Sequence, residues 1–138
     1  MIEISRSGTR ASFRAPASRF SGAVWQDQIV KMPKPGLLSS NVVTFEPGAR
    51  TAWHTHPMGQ ALFVTAGQGL IQRWGAAAEV INPGDSIWIP PGVKHWHGAT
   101  STVAMTHISM QESEDGQVAD WLELVSDAEY AAAQAPQG

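Results

Sequence analysis

The sequence predicts an all-β domain, a small closed barrel or jelly roll, followed by a short C-terminal helix. Three observations predict it. Eight short β-type runs crowd one part of the chain, at 42–45, 51–56, 61–66, 70–74, 79–81, 86–89, 94–96 and 102–111. Turns rich in Gly, Pro, Asn and Asp separate them, such as Glu46-Pro47-Gly48, Pro57-Met58-Gly59, Gly67-Gln68-Gly69, Asn82-Pro83-Gly84-Asp85 and Pro90-Pro91-Gly92. The chain has 138 residues, 43% hydrophobic and 15% charged, which suits one ordered domain with a core of its own. Closing such strands into a barrel removes the exposed edges they would otherwise leave.

Three stretches follow in order. Residues 1–40 read as an N-terminal lead-in and edge strand, broken by Pro16, Pro33 and Pro35. Residues 41–111 form the barrel core. Residues 112–138 read as helix and tail. After Gly116, the apolar residues Val118, Trp121, Leu122, Leu124 and Val125 fall near helical spacing, with Asp120 and Glu123 where acids favour the helix dipole. A second helical turn is expected over Asp127–Ala133, then a polar tail over 134–138.

Composition narrows the function. The net charge is −3 with five histidines counted neutral, which argues against nucleic acid or an anionic membrane as the main partner. No apolar run approaches the ~18 residues of a membrane span. The opening Met1-Ile2-Glu3-Ile4-Ser5-Arg6 lacks the apolar stretch of a signal peptide. With no cysteine there is no disulfide, no thiolate ligand and no thiol nucleophile, and the reducing cytoplasm is the expected compartment.

All five histidines lie between His54 and His107, inside the β-rich block. Strand alternation puts His54 and His56 on one face, with Trp53 and Thr55 on the other. His95 and His97 repeat the pattern. On the last strand His107 shares its face with Val103, Met105, Ser109 and Gln111. Were these faces to point into one barrel, several imidazoles and a carboxamide would converge there. Neutral imidazole is the commonest ligand of first-row metal ions, so the pattern points to a metal centre.

The two His pairs sit in a spacing of their own: Gly48-x5-His54-x-His56-x3-Gln60-x6-Gly67, then Gly84-x5-Pro90-x-Gly92-x2-His95. This double motif resembles the cupin superfamily, whose two motifs flank a metal site in a small β-barrel. The resemblance implies metal ligands at His54, His56, Gln60 and His95. Gln60 stands where most cupins have glutamate, and Ala99 where many have asparagine. Three neutral nitrogens and one amide oxygen leave a divalent ion its full +2 charge, suited to a small anion and to Lewis-acid chemistry. That set is a poorer match to the two-His, one-carboxylate pattern of oxygen-activating iron.

A narrower resemblance covers most of the chain. Val43-Thr44-Phe45-Glu46-Pro47-Gly48-Ala49-Arg50-Thr51-Ala52-Trp53-His54-Thr55-His56-Pro57, then Gly59-Gln60, look like the bacterial cupin hydroxynitrile lyases. So do Pro91-Gly92-Val93-Lys94-His95-Trp96-His97-Gly98-Ala99, Ala104-Met105-Thr106-His107 and Asp120-Trp121. These manganese-dependent enzymes cleave and form (R)-cyanohydrins such as mandelonitrile. The resemblance implies Mn2+, although three His and an oxygen would also accept Fe, Co, Ni or Zn. His107 is then the first choice for the catalytic base and His97 the second, or a donor to the substrate oxygen. Asn41, Val43, Thr51 and Gln111 are expected as pocket wall or polar contacts, and Leu62, Val64 and Met105 as its apolar side. Two other classes stay open: another metal-dependent cupin enzyme (decarboxylase, isomerase or dioxygenase) on a small carbonyl or carboxylate compound, and a non-catalytic small-molecule-binding cupin. A homodimer or homotetramer is expected, since cupins commonly pair through an N-terminal strand and the apolar stretch 20–30 could serve for exchange.

Overall fold

The computed structural model describes residues 1–134, so the tail anticipated at 134–138 lies, apart from Gln134, outside the described residues. Turn chemistry delimits the strands, and two antiparallel sheets result. One has six strands in the order β1 (Phe13–Arg14), β3 (Val24–Lys31), β4 (Leu38–Phe45), β12 (Met105–Glu112), β7 (Gln60–Gly67) and β10 (Ser86–Ile89). The second runs β13 (Asp120–Trp121), β6 (His54–Thr55), β11 (His95–Ala99), β5 (Arg50–Thr51) and β2 (Phe20–Ser21). In that second sheet β8 (Gly69–Arg73) also pairs with β11, and β9 (Glu79–Ile81) pairs with β8. Within the chain, β2 pairs with β5, and β3 with β4.

Several boundaries differ from the sequence reading. The run at 42–45 starts earlier, at Leu38, and the run at 51–56 is two strands, β5 and β6, separated at Ala52-Trp53. Val103 does not share the inward face of His107. It sits in a turn before β12, 41% exposed, with its N–H donated to Thr100 Oγ1 at 3.0 Å.

The larger correction concerns 118–125, which is not helical. Asp120 pairs with Thr55 and Trp121 with His54. The Leu122 N–H donates to the Trp53 carbonyl and the Trp53 N–H to the Glu123 carbonyl, each at 2.9 Å. A helix this short is marginal by itself, and pairing with β6 satisfies the same backbone groups while Val125 is buried and Trp121 half-buried, with Leu122 and Leu124 left exposed. The helix α1 spans Asp127–Ala133, as anticipated for its second turn. Ser126 and Glu129 form a capping box there, and Asp127 and Glu129 supply the first-turn acids.

Strand alternation divides the interior in two. Between the sheets lie Phe20, Val24, Phe45, Val64, Ile81 and Met105. On the outer side of the second sheet, Trp53, Leu70 and Trp96 pack under Val125, Tyr130 and Ala133. Arg50 ties α1 down, donating to the Val125 carbonyl at 2.9 Å and to Asp127 at 2.8 Å, while Tyr130 donates to the Ala99 carbonyl at 2.6 Å. Two glycines permit close approaches. A Cβ at Gly67 would overlap the Ala104 carbonyl oxygen, and one at Gly98 would lie 2.5 Å from the Ala49 carbonyl oxygen, prising β5 off β11. No helix among the described residues is long and apolar enough to cross a membrane.

Candidate functional site

The buried faces of β6, β11 and β12, with His56 directly after β6, bring all five imidazoles together. His54, His95 and His107 are at most 1% exposed, His56 3% and His97 4%. The ring centroid of His54 lies 4.9 Å from His56, 4.2 Å from His95 and 5.5 Å from His97, and His97 lies 4.8 Å from His107. His97 therefore faces inward although Gly98 follows it, while Trp96 between the pair turns outward beneath α1.

Backbone carbonyls orient three of these rings. His54 Nδ1 donates to the Ala52 carbonyl at 2.8 Å, His56 Nδ1 to that of Val118 at 2.7 Å, and His95 Nδ1 to that of Val93 at 2.9 Å. A carbonyl only accepts, so each Nδ1 must carry the proton and each Nε2 must keep its lone pair. The Nε2 atoms of His56 and His95 are buried without a partner, and so is Gln60 Oε1. Gln60 Nε2 donates to Gln111 Oε1 at 3.0 Å, which leaves Gln60 Oε1 as the free atom. Buried acceptors without donors are costly unless something electropositive fills the space between them, so this donor set fits a cation.

His54, His95 and His97 also offer ring nitrogens all within 4.8 Å of one another, and this group could hold a metal ion. His97 differs from the others in the partner of its Nδ1, which lies 3.0 Å from His107 Nε2 where the other three rings meet a carbonyl, while its Nε2 is buried without a partner. Burial, the largest cause, holds every imidazole below its ordinary value, His95 and His107 at about 4. Neighbouring imidazoles add to the lowering at His54, His95 and His97. All five are thus neutral near pH 7, the state a ligand or a proton acceptor requires.

A cavity of about 190 Å³ opens onto this cluster. Of the expected wall residues, Asn41, Val43, Thr51 and Gln111 line it, together with His97 and His107. Leu62, Val64 and Met105 do not. They are inward-facing as parity requires, but they pack in the interior without bordering the cavity, unlike Phe20 and Phe45 of the cluster between the sheets. The apolar wall comes instead from Phe20, Phe45, Val118 and Trp121, with Val43. Phe45 lies 5.4 Å from the His107 ring, and Trp121 stacks on His54 at 4.6 Å and 22°. Arg19, Gln26 and Ser109 add polar edges that the sequence reading did not select. Alternation on β12 had put Ser109 on the His107 face, whereas the helical spacing at 118–125 concealed the part played by Trp121.

The match to known proteins agrees with this geometry. Residues 41–110 match the cupin domain family. This chain is a cupin. A second cupin-like protein, from Thermotoga maritima, shares 36% identity over 98% of this chain and 100% of its own, with a TM-score of 0.84. The (R)-mandelonitrile lyase of Granulicella tundricola is 55% identical over 94% of this chain and 98% of its own length. The polyketide cyclase RemF of Streptomyces resistomycificus, at 15% identity and a TM-score of 0.77 over 95% of this chain and 92% of its own, shares the cupin fold.

Proposed function

We propose that this cupin is a metal-dependent hydroxynitrile lyase, which cleaves (R)-cyanohydrins such as mandelonitrile to an aldehyde and HCN and catalyses the reverse addition. The observation that carries the reading is the 55% identity, over nearly the whole of both chains, to a protein named (R)-mandelonitrile lyase. The buried cluster of neutral imidazoles beside a small, largely apolar-walled cavity supports it. His54, His56, Gln60 and His95 are the residues we assign to the ion, and His97 and His107, bonded to each other, are the pair we assign to the proton. A divalent ion there, Mn2+ in this reading, supplies positive charge to hold the departing cyanide. Gln60 keeps the donor set neutral, which favours this chemistry over the two-His, one-carboxylate chemistry of dioxygenases.

The chain's own groups handle the proton. The cyanohydrin hydroxyl gives its proton to the His97–His107 pair, the electrons of that O–H bond become the carbonyl, and the C–C bond electrons leave with cyanide. The same proton returns to cyanide to give HCN. One imidazole of the bonded pair necessarily donates to the other, so a proton taken up at either ring is shared with its neighbour. The Phe20, Phe45 and Trp121 rings exclude water and accommodate an aryl or alkyl group. With no cysteine to oxidise, the cytoplasm is the compartment we assign.

Two copies pair, in this reading, across the outward face of the six-stranded sheet, as a dimer or a dimer of dimers. Val42, Ile108 and Phe63 lie side by side on it, with Met110, Ala61 and Trp88 in the next row. Phe63 is 41% and Trp88 62% exposed. Asp27 is the one charge in the first row, so two such faces meet with little like-charge conflict. Four eight-residue strands span about 19 Å by 26 Å, so two copies would bury roughly 1,000 Å², the lower range of specific interfaces.

The deciding experiment is benzaldehyde release from (R)-mandelonitrile at mildly acidic pH, with the spontaneous rate subtracted and chelated and Mn2+-reloaded protein compared. Activity lost with chelator and restored by Mn2+ is the expected result. Metal-loaded protein without activity would overturn the lyase reading.

A further inference from the structure

Gln111 lines the cavity, but its carboxamide is already committed. Its Nε2 donates to the Ser39 carbonyl oxygen at 3.1 Å and lies 2.9 Å from Ser39 Oγ, and its Oε1 accepts from Gln60 Nε2 at 3.0 Å. One atom dictates the direction of this chain of bonds. The Ser39 carbonyl can only accept, so Gln111 must turn its NH2 to Ser39 and its oxygen to Gln60. Gln60 must then turn its own NH2 to Gln111, which leaves Gln60 Oε1 as the buried atom without a partner. Ser39 and Gln111 face each other across the β4–β12 ladder, so the relay is built on the sheet. Both glutamines are 6% exposed, and reversing either amide would set two oxygens or two NH2 groups together in a buried place.

We infer that Gln111, anchored by Ser39, is a positioning residue that keeps the Gln60 carbonyl oxygen turned to the metal position and selects an amide over a carboxylate there. The inference rests on the metal-centre reading above. A glutamate at position 60 has no N–H to donate and would press an oxygen against Gln111 Oε1. The neutral ligand set is thus enforced from the neighbouring strand, and Gln111 acts through Gln60 rather than on substrate.

The test is Mn2+ titration of metal-free proteins, first the native, Gln111→Met, Gln60→Met and the double variant, with melting curves alongside. Gln111→Met is expected to bind Mn2+ more weakly by roughly 10–100-fold, the usual range for groups that orient ligands, with the metal-free melting point nearly unmoved. Placed on Gln60→Met, the same change should cost under about threefold, because its only route of action is gone. Gln111→Asn, one methylene shorter, breaks the same bond and must show the same loss. Gln60→Glu should gain more Mn2+ affinity in the Gln111→Met background than in the native one. Equal losses in both backgrounds, equal gains from Gln60→Glu, or a native Mn2+ affinity in Gln111→Met with only KM raised would overturn the inference. Native protein that binds no Mn2+ would overturn the metal-centre reading and this inference with it.

Discussion

A histidine can bind a metal or take a proton only through a nitrogen that carries none. At His54, His56 and His95 the chain secures this with one carbonyl each, so the proton sits on Nδ1 before any ligand arrives. His97 and His107 are bonded to each other instead, which sets them apart chemically from the other three. Two expectations follow at this scale. His54→Ala or His95→Ala should lose bound Mn2+ and all activity, and a fully active, metal-free variant would sink the metal mechanism. His107→Ala should retain Mn2+ while kcat falls by ~10²–10⁴. His97→Ala should fall comparably, and the double variant little further, because the two act as a unit. A loss under threefold in His107→Ala, with metal content measured on the same sample, would mark it as structural.

Among the elements, β11 shows how much one strand can settle. Its alternation sends His95 and His97 into the barrel and Trp96, 0% exposed, under α1, so the site and the outer apolar layer share one backbone. β13 works oppositely: a stretch whose spacing reads as helix becomes a strand because β6 offers its backbone partners and His54 offers Trp121 a ring to stack on. The six-stranded sheet carries the prediction that belongs here. Phe63→Lys puts a charge into the exposed apolar row of its outward face, so light scattering should report a shift from dimer towards monomer. A native protein with the mass of a single chain would refute pairing across this face.

For the whole molecule, the price of the site is five imidazoles buried neutral. Burial holds the folded-state values of His95 and His107 at about 4 and lowers the other three from 6.5. Above pH 6.5 both folded and unfolded chains carry these groups neutral, so they add nothing to the pH dependence. Between about 6.5 and 4 the unfolded chain takes up protons the folded one refuses, and stability falls as pH falls. For His95 and His107 the slope reaches at most about 1.4 kcal/mol per pH unit each, and the other three add in the same direction. Metal-free protein should therefore melt progressively lower from pH 7 to pH 4.5 in calorimetry, and a flat profile would mean that the imidazoles protonate within the fold.

The sequence by itself determined the fold class, the strand-rich block, the helix at Asp127–Ala133 and the inward faces of His54, His56, His95 and His107. The strands and the inward faces follow from local rules: turn residues with special backbone angles and two-residue alternation. Only the tertiary structure decided which inward-facing residues meet open space. Parity cannot tell a cavity wall from a packed core, so Leu62, Val64 and Met105 went to the core while Phe20, Phe45 and Trp121 became the wall. It also decided the strand at Asp120–Trp121 and the Ser39–Gln111–Gln60 relay. Both depend on partners more than 50 residues away in the chain, and no local pattern encodes which distant backbone will offer a carbonyl.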